Sequence, residues 1–173
     1  FEITPDGVYV SQSDSLVLLK DTDGDDKYDE KEVIYSGFDD HDTHHAISAF
    51  TTDPSGAIYL GEGVFLHSNV ETPYGTARGT NGGFFRFNPS TRHLERTAQL
   101  RIPNPWGTAF DKWGQPFFLH TSGTSLNWMT PGTVKPRYGV NITASDNLIK
   151  EQAVRPTSGL EIVSSRHFPD EVQ

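Results

Sequence analysis

Cysteine is absent from the 173 residues of this chain. Its absence excludes disulfide bonds, thiolate metal sites and a covalently attached c-type haem within these residues. Long apolar runs are missing too, so no segment of the sequence can cross a membrane as a helix. Basic residues are scarce: 14 Lys and Arg against 23 Asp and Glu give a net charge of -9. This charge argues against nucleic acid and anionic membrane surfaces as partners.

Turn-forming residues, by contrast, are abundant. The 16 Gly and 11 Pro are spread along the chain, which indicates many short strands joined by turns. Residues 4–10, 53–60 and 111–119 repeat one pattern, a short polar turn that contains Gly and is followed by an apolar strand. The glycines of these turns are 49 and then 58 residues apart. This spacing is close to the period of about 40–50 residues that is typical of β-propeller blades.

Further strand candidates surround these turns. They are residues 15–19 and 83–87 after the first two turns, residues 46–50 and 106–110 before the second and third, and residues 159–164 as the inner strand of another blade. Residues 64–82 form an insertion that explains the longer second spacing. We therefore predict an all-β fold in which residues 1–173 are about three to four blades of a six-bladed or similar β-propeller, a single domain incomplete at both ends. A free-standing β-sandwich is the alternative.

An acidic loop covers residues 21–32 and lies between two strand candidates. Its oxygen donors follow the spacing of an EF-hand loop, which predicts a structural calcium ion in a β connection. The predicted ligands are Asp21, Asp23, Asp25, the carbonyl of Lys27, Asp29 and Glu32. Asp26 stands where an EF-hand loop has Gly, although Asp tolerates the left-handed conformation better than most residues. A solvated acidic turn is the alternative.

His41, His44 and His45 cluster just before a strand–turn–strand pattern. On an extended chain His44 and His45 point to opposite faces, so three imidazoles would not easily reach one metal ion. One imidazole that acts as a general base is the simpler hypothesis. The alternative is a set of histidines that make only surface or loop hydrogen bonds.

Asn104 opens the next inner strand as the histidine cluster opens the one before it. We therefore expect Asn104 and His45 on the same rim of neighbouring blades, where propellers bind ligands around the central channel. The Asn104 amide could donate and accept hydrogen bonds with a ligand. A turn-stabilising Asn before Pro is equally compatible with this position. Structural roles are expected for the isolated histidines at positions 67, 93, 120 and 167, with position 120 the least clear.

Five segments carry a resemblance to a known family. They are residues 18–25, 42–45, 70–75, 104–107 and 158–170. Together they resemble the membrane-bound dehydrogenases of planctomycete-type bacteria, and the likeness runs almost from end to end. That family is more distantly similar to the soluble quinoprotein sugar dehydrogenases, which are β-propellers that use pyrroloquinoline quinone (PQQ) and calcium.

The resemblance implies roles for particular residues. His45 matches the catalytic histidine of the quinoproteins, with His44 beside it, and Asn104 matches a residue that contacts the cofactor. Pro103 stands where those enzymes carry Arg, and Arg101 lies two places earlier. The implied cofactor-binding residues are therefore Asn104, Arg101 and His120, the last in a loosely matched loop.

The implied function is the oxidation of a sugar or alcohol at the periplasm or cell envelope. His45 would take the hydroxyl proton, hydride would pass to PQQ, and electrons would leave to a cytochrome. A second hypothesis is a non-catalytic, calcium-stabilised propeller that binds a glycan or protein at the cell envelope, and Pro103 in place of Arg favours it. A third is a metal-dependent, lactonase-like propeller, for which Glu62 is the nearby acid.

Overall fold

The computed structural model describes residues 1–100, 102–122, 126–129, 145–148, 159–169 and 171. The regular structure of these residues is β-strand, with no α-helix among them. The strands are β1 (Glu2–Thr4), β2 (Gly7–Gln12), β3 (Ser15–Lys20), β4 (Glu30–Ser36), β5 (Ser48–Thr52), β6 (Ile58–Glu62), β7 (Asn69–Thr72), β8 (Gly75–Arg78), β9 (Gly83–Asn88), β10 (His93–Gln99), β11 (Pro105–Phe110), β12 (Pro116–His120), β13 (Asn127–Met129) and β14 (Ser145–Asn147).

The strands form three four-stranded antiparallel sheets that follow one another along the chain. Their orders are β1-β2-β3-β4, β5-β6-β9-β10 and β11-β12-β13-β14. A separate two-stranded sheet, β7-β8, lies within the predicted insertion. None of these sheets closes on itself in the described part of the chain. The prediction of an all-β fold is confirmed, whereas the number of propeller blades stays a prediction.

The second and third repeated turns have the same construction. Asp53 and Asp111 begin them, and each Oδ1 accepts hydrogen bonds from the amides two and four residues later. These distances are 2.8 and 3.1 Å for Asp53 and 2.9 and 2.8 Å for Asp111. Gly56 and Gly114 take the left-handed conformation, with φ of 85° and 78°. An Asp side chain that binds its own turn and a Gly at positive φ explain why the pattern recurs.

The middle sheet is buried on both faces. Alternate side chains of a strand point to opposite faces. Ile58 and Leu60 of β6 therefore pack in a cluster with the first sheet, and Tyr59 between them packs in a cluster with the third. The first cluster contains Tyr9, Leu16, Leu18, Phe38, Ile47, Ile58, Leu60, Val70, Ala77, Phe85, Phe87 and Leu94. The second contains Tyr59, Phe84, Ala98, Leu100, Ile102, Phe118 and Met129.

The first strands of the three sheets, β1, β5 and β11, lie beside one another. The Thr52 hydroxyl of β5 donates to Glu2 Oε1 of β1 at 2.6 Å. The Thr51 hydroxyl donates to the Thr108 carbonyl of β11 at 3.3 Å. Because β5 and β11 are neighbours, the loops that precede them also meet, and those loops carry the histidine cluster and Asn104.

Two strand predictions need correction. The inner strand predicted at residues 46–50 begins only at Ser48, and a bulge just after it, where Ala49 has φ of 47°, interrupts its pairing with β6. The strand predicted at residues 159–164 is wrong, since the structure has no strand there. Leu160 instead packs directly on Gly107, where an added Cβ would lie 2.9 Å from the Leu160 nitrogen.

No helix in the described residues is long and apolar enough to cross a membrane.

Candidate functional site

A cavity of about 860 Å³ lies where the loops before β5 and β11 meet. Its lining consists of His44, His45, Val64, Phe65, Asn81, Pro103, Asn104, His120 and Ser122. The structure therefore brings together the histidine pair, Asn104 and His120. Arg101, the remaining residue predicted for cofactor binding, lies outside the described residues.

The histidine pair lies in a turn and not on an extended strand. The His45 amide donates to the Asp42 carbonyl at 3.0 Å, which closes the turn before β5 begins. The two imidazoles lie side by side, with ring centroids 3.9 Å apart and planes tilted by 39°. The expectation that His44 and His45 point to opposite faces is therefore wrong, because it assumed extended backbone.

Asp42 joins the two imidazoles. Its Oδ1 lies 2.7 Å from His44 Nδ1, and its Oδ2 lies 2.9 Å from His45 Nδ1. His44 is exposed, whereas only 6% of the His45 side chain is exposed. The buried His45 Nδ1 makes no hydrogen bond of acceptable geometry despite the nearby carboxylate. His41 lies apart from the pair, with its Nδ1 2.7 Å from Asp39 Oδ1.

Sequence reasoning missed Asp42, although this residue lies between His41 and His44, which were both considered. A carboxylate two and three residues before adjacent histidines is a signal that could have found it. In a turn, unlike in a strand, the carboxylate and both histidines can all meet on one side.

Gly63 fits the backbone closely around His45. Its amide donates to the His45 carbonyl at 2.9 Å. A Cβ added at Gly63 would lie 2.5 Å from the Pro103 carbonyl oxygen and 2.7 Å from His45 Cδ2. Sequence reasoning missed this residue as well. The signal was a Gly just after a strand, which often marks a site of close backbone approach.

Phe65 and Asn81 form a strained pair in the cavity wall. Both have positive φ, 72° and 54°, and the Phe65 amide donates to Asn81 Oδ1 at 3.2 Å. The Phe65 ring is 60% exposed and makes an edge contact with His45, with centroids 5.6 Å apart. Such conformations persist only where the surroundings hold them, and they cluster at binding sites.

Asn104 and His120 lie on the β11–β12 side of the cavity. The Asn104 Nδ2 donates to Ser122 Oγ at 3.1 Å, and the Asn104 carbonyl accepts from the Thr121 amide at 3.2 Å. His120 ends β12 opposite Pro105. These backbone pairings attach the Asn104 loop firmly to the third sheet.

The acidic loop brings together only part of the predicted calcium set. Oxygens of Asp21, Asp23 and Asp29 lie within 4.8 Å of one another. Position 26, where an EF-hand loop has Gly, is left-handed here too, with φ of 65° for Asp26. Hydrogen bonds, first from the Gly24 amide and then from other loop amides, outweigh desolvation and lower the pKa of Asp21.

Asp25 and Glu32 have other partners. The Lys27 ammonium lies 3.0 Å from Asp25 Oδ2. Glu32 lies in β4, where it contacts Arg92 at 2.9 Å and Lys20 at 3.2 Å. Hydrogen bonds from Arg92 and then Lys20 lower the pKa of the Glu32 carboxyl. The Glu32 carboxylate therefore pairs with two surface cations, and its place in the calcium set stays a prediction.

Glu62 does not line the cavity. It is fully buried and lies 3.1 Å from the Arg96 guanidinium, and it accepts a short hydrogen bond from Ser68. Glu62 and Arg96 both belong to the middle sheet, and the Ser68 hydrogen bond joins the insertion to it. The lactonase-like hypothesis therefore loses the acid on which it relied.

The isolated histidines have identifiable surroundings. His67 Nδ1 is 2.9 Å from the Thr80 hydroxyl, and the His93 ring packs edge-on against Tyr74 with centroids 4.8 Å apart. His167 is exposed.

Comparison with known proteins gives one family. A family model described as "Domain of unknown function (DUF7133)" matches residues 1–170. No curated protein and no solved structure matches the chain.

Proposed function

The chain belongs to the DUF7133 family of domains of unknown function, and from its cavity we propose that it is part of a β-propeller oxidoreductase that oxidises a sugar or alcohol at the periplasm or cell envelope. One observation carries the proposal. The buried His45 lies against the Asp42 carboxylate and lines the same cavity as Asn104.

Sheet architecture supports the propeller part of the proposal. Propeller blades are four-stranded sheets arranged around a central channel. The three four-stranded sheets here follow one another in the chain and have neighbouring first strands. We keep the interpretation of three to four blades of a six-bladed or similar ring as part of this proposal.

The chemistry assigned to the site is proton removal from a hydroxyl group. In the tautomer with its proton on Nδ1, beside the Asp42 carboxylate, His45 would have Nε2 available to accept a proton. His44 contacts the same carboxylate and is exposed, so it would pass the proton on to water. The amide of Asn104 would orient the substrate by hydrogen bonds.

PQQ, which would supply the hydride acceptor, matches the cavity only in part. Its size is compatible with about 860 Å³. Its three carboxylates require cationic partners, yet no Lys or Arg occurs among the described residues that line the cavity. The described lining fits the quinone in size but not in charge, so we assign no step to it. The proposed oxidation therefore needs another two-electron cofactor to take the hydride, and a cytochrome as the final electron acceptor remains part of the proposal.

Dye reduction by the full-length protein tests the oxidation. The protein is assayed with a panel of sugars and alcohols, once as isolated and once after loading with PQQ and calcium. His45→Ala should lower the rate by about 10²–10⁴-fold, the usual contribution of a general base. His41→Ala is the matched control, since His41 pairs with Asp39 and should leave the rate unchanged. Absence of dye reduction with every substrate would contradict the proposal.

The charge of the cavity favours a second candidate, a non-catalytic propeller that binds a neutral glycan at the cell envelope. A lining of imidazole, amide, hydroxyl and an exposed aromatic ring suits sugar hydroxyls and apolar sugar faces. Calorimetric titration with oligosaccharides, without PQQ, distinguishes the two. Binding that persists in His45→Ala, together with no dye reduction by the wild type, would favour this candidate. If no oligosaccharide binds and no dye is reduced, the non-catalytic candidate remains as a propeller that binds an envelope protein.

The cofactor calcium is proposed for the acidic loop. Asp21, Asp23 and Asp29 supply hard oxygens, and the Lys27 carbonyl would complete part of the coordination. A cation would also relieve the repulsion among these neighbouring carboxylates. In this proposal calcium stabilises the loop and takes no part in the chemistry.

A further inference from the structure

We infer that Asp42, His44 and His45 form a binding site for a divalent transition-metal ion of the Zn²⁺ class. A donor atom of each of the three side chains lies within 4.8 Å of the other two. Both Nδ1 atoms lie within 2.9 Å of the same carboxylate. Two imidazole nitrogens and one carboxylate are a common protein ligand set for zinc and related ions.

The second, independent observation is the state of His45. Only 6% of its side chain is exposed, yet its Nδ1 makes no hydrogen bond of acceptable geometry. A buried polar atom without a partner is unfavourable, and such exceptions require an explanation. This nitrogen lies 2.9 Å from Asp42 Oδ2 without pointing at it, and an ion held by the cluster would supply the missing partner.

The geometry allows entry and coordination. His44 is 64% exposed on its side chain, so an ion can reach the cluster from solvent. An ion bound at about 2.0–2.2 Å holds its ligand atoms roughly 3.3 Å apart, so the cluster must open by about half an ångström. The exposed His44 can make that movement. Three protein ligands leave at least one position for water or a ligand from the cavity.

Metal binding has a consequence for the proposed oxidation, although it does not depend on that proposal. A metal ion on His45 Nδ1 leaves the ring proton on Nε2, so this nitrogen can donate but cannot accept a proton. Metal binding and the base role of His45 therefore exclude each other in one molecule. Saturation with Zn²⁺ should inhibit any oxidation that relies on His45.

Cobalt titration tests the site. Chelator-treated full-length protein, without substrate but with excess calcium to fill the acidic loop, is titrated with Co²⁺ and followed by its visible ligand-field bands. We expect one equivalent to bind, with bands typical of nitrogen and oxygen ligands, and Zn²⁺ to displace it. His44→Ala should weaken binding at least tenfold, and it should not disturb folding because His44 is exposed. Asp42→Asn should weaken it as well.

His41→Ala is the matched control, three residues away in the same loop but paired with Asp39. It should bind Co²⁺ like the wild type. The site is refuted if the wild type binds no Co²⁺ at one equivalent, if His44→Ala retains wild-type affinity, or if His41→Ala loses as much. Metal binding without any dye reduction would reject the oxidation alone. Dye reduction without metal binding would reject the metal site alone.

Discussion

At the scale of single residues, Gly63 determines where the His45 imidazole can lie. The residue follows β6 and sits between the His45 ring and the Pro103 carbonyl, with space for a hydrogen atom but not for a methyl group. The backbone that follows β6 of the middle sheet therefore positions the His45 side chain, which comes from the loop before β5 of the same sheet.

We predict that Gly63→Ala moves the His45 ring and destabilises the protein. The new Cβ would lie 2.5 Å from backbone oxygen, which cannot move away as a side-chain end could. Overpacking of this kind costs about 1–3 kcal/mol. The measurements are urea unfolding and the imidazole NMR signals, in which His45 should shift and His93, which packs against Tyr74, should not. Unchanged signals from His45 would contradict the prediction.

The buried pair of Glu62 and Arg96 should dominate the polar energetics. Burial lowers the pKa of Arg96, and the neighbouring Glu62 opposes that effect. Glu62→Gln leaves the guanidinium charge buried without its counter-charge, which costs about 3–5 kcal/mol. The free energy of unfolding from urea denaturation measures the loss.

Glu32→Gln is the matched control for this prediction. Glu32 also pairs with an arginine, Arg92 at 2.9 Å, but on the surface. Exposed ion pairs contribute about 0–1 kcal/mol. Equal losses for the two variants would show that burial does not set the strength of the Glu62 pair.

At the scale of elements, the Asp53 turn joins β5 to β6 and links them to β9. Burial alone raises the pKa of the Asp53 carboxyl, but hydrogen bonds from the Ser55 hydroxyl, from Arg86 and from turn amides outweigh it and lower the pKa. Because the folded-state pKa lies below the unfolded-state value, ionised Asp53 stabilises the fold above its ordinary pKa. That stabilisation is lost as the pH falls through the folded-state pKa.

Asp53→Asn should therefore lower the free energy of unfolding by about 1.5–3 kcal/mol at neutral pH, because it removes the charge that faces Arg86 at 2.9 Å. The difference from wild type should shrink as the pH falls into the acid range. Asp111→Asn is the control, since it changes the equivalent turn, which has no arginine partner in the described part of the chain. A loss that does not depend on pH would contradict the prediction.

The loop between β3 and β4 should respond to calcium. If Asp21, Asp23 and Asp29 bind the ion, calcium should raise the thermal unfolding temperature and chelation with EGTA should lower it. Asp21→Asn should abolish this response. Asp25→Asn should retain most of it, because Asp25 already pairs with Lys27. Mg²⁺ is the comparison ion. The calcium site is rejected if calcium does not raise the unfolding temperature of the wild type more than Mg²⁺ does.

At the scale of the whole molecule, the first and second sheets share one core. Phe87 is fully buried and packs edge-on against Tyr9 and Tyr35 of the first sheet, with centroids 5.4 and 6.2 Å apart. The second core joins the middle sheet to the third through Phe84 and Phe118. Each sheet therefore depends on its neighbour for burial.

Phe87→Ala should destabilise the first sheet as well as the second. We expect a loss of about 3–5 kcal/mol and a fall in hydrogen-exchange protection at the amides of both β3 and β9. Phe118→Ala, in the other core, is the comparison, and its main effect should fall on β9 and β12. If β3 keeps its protection in Phe87→Ala, the sheets unfold independently and the shared core is not cooperative.

Much of the fold was predictable because its signals are local. The Asp-to-Gly turns at residues 53–56 and 111–114 fix their own shape through side-chain hydrogen bonds and a left-handed Gly, so the strands on either side could be predicted. The predicted strand at residues 159–164 failed for the opposite reason. Strands need a partner, and an apolar run does not say whether one is present.

By itself, the sequence determined the all-β class, the repeat of turns and the loops that carry histidine, Asn104 and the acidic residues, because each depends on neighbouring residues. Tertiary structure decided which side chains meet. The turn at Asp42 placed both imidazoles on one side, and Arg92, distant in the chain, paired with Glu32 at the end of the acidic loop. Such pairings depend on contacts between remote segments, and those exist only once the sheets have packed.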